Sequence, residues 1–214
     1  MSSDTDKLIN TLSKGLQPVR PPLSADRTAL LWLTASVGFV IGITAWFGPI
    51  RANALNQLAT EPRFLLETVF GALAIAFTAV LAFRTAVPGA ASRRGVLLGL
   101  GLILLWLANY VLDLAYPALE PSMLGKREHC VVETFMFALP PVCLALLLSR
   151  RFYPLRPVYS TALFCLAAAL LPALYMQIAC MYAPAHILQM HILPALLVTL
   201  GGTLCAWGWT RLRR

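Results

Sequence analysis

Six mainly apolar stretches, near 28–48, 64–83, 95–117, 130–149, 158–179 and 187–209, constrain this chain more than any other feature. Each is close to the roughly 17–25 residues that a helix needs to cross a bilayer core. In lipid the backbone N–H and C=O groups find no water, so such a segment satisfies them internally as a helix. Charged residues make up 12% of the chain, about half the share of a water-soluble domain. The 17 Lys and Arg residues divide unevenly between the connecting segments. Arg51, Arg63, Lys126 and Arg127 fall on one side, and the remaining 13 on the other with both termini. Cytoplasmic loops carry the basic excess. The expected fold class is therefore all-α, a polytopic membrane protein of six transmembrane helices with N- and C-termini cytoplasmic.

The same distribution explains the net charge of +8. Short basic clusters between apolar runs orient a chain in a membrane rather than build a face for nucleic acid, so no direct nucleic-acid contact is expected. The first 27 residues are polar and lead into a long apolar run without a small-residue cleavage pattern, unlike a secretory signal. Five cysteines without a C-x-x-C pair suggest neither a disulfide framework nor a zinc finger.

Residues 1–27 form a cytoplasmic N-terminal segment, and 28–214 a six-helix transmembrane sensor domain. In the former, Leu8, Ile9, Leu12 and Leu16 fall on one stripe of a short helix over Thr5 to Leu16. Gln17-Pro18-Val19-Arg20-Pro21-Pro22 ends that helix and makes a stiff connector. An amphipathic helix of this kind docks in the groove of a protein partner. Alternatively it lies flat on lipid, though Lys7 and Lys14 supply little basic charge for that.

The side with few Lys and Arg residues collects soft donor groups. His129, His186 and His191 fall there, with Cys130, Cys180, Met123, Met176, Met181 and Met190. Cys130 precedes Arg150 by 20 residues, and Cys180 follows Val158 by 22. At about 1.5 Å per residue both travel roughly 30 Å from the same loop and end at one level on adjacent helices. Thiolate, thioether and imidazole together favour soft metals such as Cu(I), and can also hold Zn(II) or Cd(II). Glu133, one turn below Cys130 and His129, is positioned to orient a ligand or to bind. Like Asp113 in the third run, it is a carboxylate in an apolar span, where such groups mark function. Three readings of the cysteine pair stay open: metal ligands, a thiol/disulfide redox couple, and plain packing. Cys143, Cys165 and Cys205 read as small packing residues. The five tryptophans read mostly as anchors at the membrane surface, and Pro140-Pro141, Pro172 and Pro194 as packed kinks or hinges.

Nothing points to an enzyme. No P-loop, dinucleotide fingerprint, nucleophile elbow or H-E-x-x-H occurs, and the spans hold too few polar residues to outline a solute path.

Several short segments carry a family likeness. Asp4-Thr5-Asp6-Lys7-Leu8-Ile9-Asn10-Thr11-Leu12, then Gln17-Pro18-Val19-Arg20, resemble the start of the negative-regulator-of-sigma-F (NrsF-like) family of six-span membrane anti-sigma factors. Glu61-Pro62-Arg63-Phe64, Ala86-Val87-Pro88-Gly89 and Leu139-Pro140-Pro141 add to it, in order and at similar spacing. Cys130 and Cys180 fall where that family places its two characteristic cysteines. Met181-Tyr182-Ala183-Pro184-Ala185-His186 departs from it, standing where a more acidic or serine-bearing segment is expected. The resemblance implies a multi-pass protein of the bacterial inner membrane that holds an extracytoplasmic-function sigma factor inactive. Its docking residues would be Leu8, Ile9, Leu12 and Leu16. Release would follow when a transient soft metal ion, copper or cadmium, engages Cys130 and Cys180, with His129, Glu133, Met181 and His186 around them. No permanent cofactor is implied. The alternatives are a redox sensor and a structural membrane subunit without signalling.

Overall fold

The computed structural model describes residues 2–14 and 23–213. Among them the secondary structure is helical and no strand occurs: α1 (Ser2–Lys14), α2 (Ala25–Phe47), α3 (Ala54–Thr60), α4 (Pro62–Thr85), α5 (Arg93–Asp113), α6 (Cys130–Ser149), α7 (Pro157–Ala179), α8 (Pro184–Ile187) and α9 (Leu193–Leu212). A π-helical turn, Leu188–Ile192, joins the last two into one continuous span. Among the described residues six helices are long and apolar enough to cross a membrane. They coincide with the six apolar runs, apart from shifted ends. The third stops at Asp113 rather than near 117, where the Asp113 carboxylate turns to Arg63 at 2.5 Å.

Helix starts follow local chemistry. The Ser24 hydroxyl accepts from the Arg27 N–H at the head of α2, and Ser92 from Gly95 at the head of α5. Pro62 and Pro157 open α4 and α7, where the missing N–H costs nothing.

All the residues of α7 from Ala167 to Leu174 are buried, and α4, α6, α9 and α2 pack around it. Alanine is the commonest residue of this stretch because backbones can approach closely only past small side chains, the main source of attraction between helices in lipid. By contrast α5 buries only one stripe, Gly99, Ile103, Trp106, Tyr110 and Asp113, at alternating spacings of four and three. The Trp106 indole lies over Gly71 of α4, where an added Cβ would stand 2.5 Å from its nitrogen. Trp106 is therefore a core residue rather than a surface anchor. So is Trp32, whose indole N–H donates to the Pro141 carbonyl at 2.9 Å. That contact packs the Pro140-Pro141 segment of α6 against α2. Trp46, Trp207 and Trp209 are exposed at span ends, as anchors would be.

Short loops gather at the end of the bundle that carries Cys130 and Cys180. The Arg51 N–H donates to the Ala179 carbonyl at 3.0 Å, and the Ser122 N–H to that of Tyr182 at 2.9 Å. Gly125 turns beside Arg51 with φ +78, and a Cβ there would meet the Arg51 Cβ at 2.8 Å. At the opposite end Arg84 grips Asp26 with two bonds of 2.7 and 2.8 Å, tying the close of α4 to the start of α2. Both partners are half exposed, so the pair contributes little stability.

Candidate metal centre

Cys130 is the first residue of α6 and Cys180 the residue after α7. The two helices run from a common loop, so the thiols meet at one height, with sulfurs 3.3 Å apart and both cysteines free. Two imidazoles complete the group. Pro184 starts a new helix just past Cys180, which carries His186 back over the thiols, with Nε2 3.5 Å from the Cys180 sulfur. His191 arrives from the π-helical turn, a widening often found at functional sites. Pro194 explains part of this turn: lacking an N–H, it cannot bond the Met190 carbonyl. The Thr134 hydroxyl approaches that carbonyl at 3.5 Å.

The same hydroxyl lies 3.2 Å from His191 Nδ1. It fixes the ring and leaves Nε2 buried without a hydrogen-bond partner. An imidazole held at one nitrogen and free at the other is how protein metal ligands are oriented. Cys130, Cys180, His186 and His191 each offer one donor atom, and these atoms lie within 4.8 Å of one another. Two sulfurs and two nitrogens at that spacing fit zinc-like tetrahedral coordination, and the sulfurs alone fit softer monovalent ions.

The thiols are not equivalent. The Cys130 S–H has two acceptors within reach, the Arg127 carbonyl at 3.1 Å and the Cys180 sulfur. Donation from Cys130 holds the Cys180 thiol below its usual pKa against the opposing effect of burial, and His186 adds to it. Phe137, Met176, Ala179 and Met181 pack around the pair as an apolar wall.

The residues singled out in the sequence are placed as follows. Cys130, Cys180 and His186 come together. Met181 is buried beside them in that wall. His129 precedes α6 as its N-cap, exposed, on a cleft of about 490 Å³ that also includes Arg51, Lys126 and Glu128. Glu133 turns away to Arg127, 2.6 Å distant and equally buried. Arg127 also donates to the Pro49 and Thr44 carbonyls at 3.2 and 3.3 Å, where α2 ends. His191 falls among the outer histidines in the sequence, yet only the π-helical turn assigns it to the cluster. The i, i+5 spacing of His186 and His191 around Pro184 and Pro194 is the available signal.

In α1 every described side chain is exposed, including Leu8, Ile9 and Leu12 at 59%, 57% and 65%. Leu16 and the proline connector lie outside the described residues.

Compared with known proteins, no curated protein and no solved structure matches the chain. The family model described as negative regulator of sigma F matches residues 12–212.

Proposed function

The chain belongs to the family of negative regulators of sigma F, and from that premise we propose that it is a membrane anti-sigma factor gated by a soft metal ion at the Cys130–Cys180 centre. Its N-terminal segment, residues 1–27, holds an extracytoplasmic-function sigma factor at the cytoplasmic face of a bacterial inner membrane. Residues 28–214 form the sensor, with the cysteine end facing outward.

The observation that carries this reading is the convergence of four soft donor atoms within 4.8 Å. To hold a tetrahedral ion with metal–sulfur bonds of about 2.3 Å, Cys130 and Cys180 would release their protons to solvent and their sulfurs, 3.3 Å apart, would spread, while His186 and His191 would supply the nitrogen donors. Loss of the Cys130 proton would end its donation to the Arg127 carbonyl, 3.1 Å away, and release that stretch of backbone. Arg127 in turn donates to the Thr44 carbonyl in the last turn of α2 and to that of Pro49 just beyond it. The opposite end of α2 begins at Ala25, within the proposed docking segment, so a shift of this helix would move that end of the segment. Reversing a 99:1 preference takes about 5.5 kcal/mol of differential affinity. Thiolate-rich structural zinc sites supply about 10–16 kcal/mol at neutral pH, so a fraction suffices.

The 3.3 Å sulfur contact also favours a second reading, in which the pair gives up two protons and two electrons to an external thiol oxidant to form a disulfide, and is later reduced back. Cd(II) titration of the purified protein, followed by alkylation and mass spectrometry under denaturing conditions, separates the two. Metal gating predicts one bound ion per chain, with Cys130 and Cys180 both alkylated once the metal is chelated, like the other three cysteines. A Cys130–Cys180 pair that binds no Cd(II) but becomes crosslinked and unalkylated after treatment with a thiol oxidant such as diamide supports the redox reading instead.

A further inference from the structure

Arg51 brackets the cysteine centre, although in the sequence it serves only to orient the chain. Its backbone N–H is bonded to Ala179, the residue before Cys180. Its guanidinium stacks against Tyr182, two residues after Cys180, at 6.0 Å from the ring centre, and against Phe64 at 5.8 Å. Arg51 is only 5% exposed, and its Nε and Nη2 find no hydrogen-bond partner among the described residues. A guanidinium stays charged at any physiological pH. A buried one without a counter-charge is costly unless the site itself supplies an anion.

Arg51 lines a cleft with Glu128 and Glu133, but among the described residues no ion pair joins it to either. Arg127 and Glu133 form a closed pair, as do Arg63 and Asp113. Glu67 meets the Tyr182 hydroxyl at 3.4 Å, and no ion pair joins it to Arg51 among the described residues. Burial pushes the Tyr182 phenol up, so that ring stays neutral. Burial also lowers the Arg51 pKa, and Cys180 is the first group that acts against the shift.

We propose that Arg51 is the counter-charge of the metal-loaded dithiolate and biases the centre toward soft monovalent cations over divalent ones. The inference rests on the metal-binding reading above. When two thiols bind a monovalent ion and release two protons to solvent, the complex carries one negative charge, which Arg51 balances. A divalent ion leaves a neutral complex and an unbalanced buried arginine. The four-donor geometry by itself favours divalent ions, so Arg51 opposes the ligand count.

Ag(I), a redox-stable monovalent probe, and Cd(II) are titrated separately into the detergent-solubilised full chain, each against a competing chelator. Arg51→Met and Arg51→Gln should each lower the ratio of Ag(I) to Cd(II) affinity by at least about tenfold, as loss of a unit charge that acts on Cys180 would do. Arg51→Lys, which keeps the charge, should retain the ratio within about threefold; it decides the matter if the neutral variants do not fold. An unchanged ratio in a folded neutral variant overturns the inference while leaving metal binding intact. A ratio lost in Arg51→Lys overturns it too, since packing rather than charge would then be responsible. If wild type binds neither ion, the metal-binding reading falls and this inference with it.

Discussion

The cysteine centre and the N-terminal helix carry the proposed input and output of one protein, yet they meet opposite conditions. Around Cys130 and Cys180 the chain covers its own chemistry: both are buried, walled by Phe137, Met176 and Met181, and faced by two histidines. In α1 the apolar stripe Leu8, Ile9 and Leu12 is open. Exposing a group that water disfavours makes sense where something else covers it, whereas a preformed buried donor set needs only a small ion. A sensor of this kind places its preformed, buried part at the input and its exposed part at the output.

The comparison breaks most readily at α1. Leu8→Asp combined with Leu12→Asp should abolish sigma-factor co-purification while leaving membrane insertion unchanged. Burying two leucines is worth about 3–6 kcal/mol, more than a hundredfold in affinity. Retention of the sigma factor would place the docking surface elsewhere. Next in size, Arg127→Ala strands Glu133 as a buried charge, and loss of one partner from such a pair costs about 3–5 kcal/mol. A large fall in unfolding temperature in detergent is expected, and little change would mean that the pair is solvated. Gly71→Ala drives a methyl into the Trp106 ring and should cost about 1–3 kcal/mol, whereas Gly201→Ala, with nothing within 4 Å of its Cβ, should be nearly neutral. At the centre, His191→Ala should weaken Cd(II) binding by about tenfold, and His129→Ala should leave it within about twofold. Equal losses from both would mean that the buried cluster is not the binding site.

Much of this architecture was legible beforehand, for physical reasons. Span length and the lack of charge dictate helices in lipid, so all six spans and the meeting of Cys130 with Cys180 followed from residue counts along α6 and α7. Tertiary choices were not legible. Nothing local shows that Glu133 prefers Arg127 to the thiols, because that depends on a loop folding back beneath α2. Trp32 and Trp106 resemble interfacial tryptophans in sequence, but their partners, Pro141 and Gly71, come from other helices. His191 enters the centre through a π-helical turn that a regular 3.6-residue period does not anticipate. The family likeness was readable from short segments, and the match over residues 12–212 now shows it.

The account is tested most directly in proteoliposomes loaded with the sigma factor on the side of the N-terminus, with Cd(II) added to the cysteine side alone. Wild type should release the sigma factor on metal addition, whereas Cys130→Ser with Cys180→Ser should bind it equally well and not respond. Release of the same size from the double variant would contradict the account.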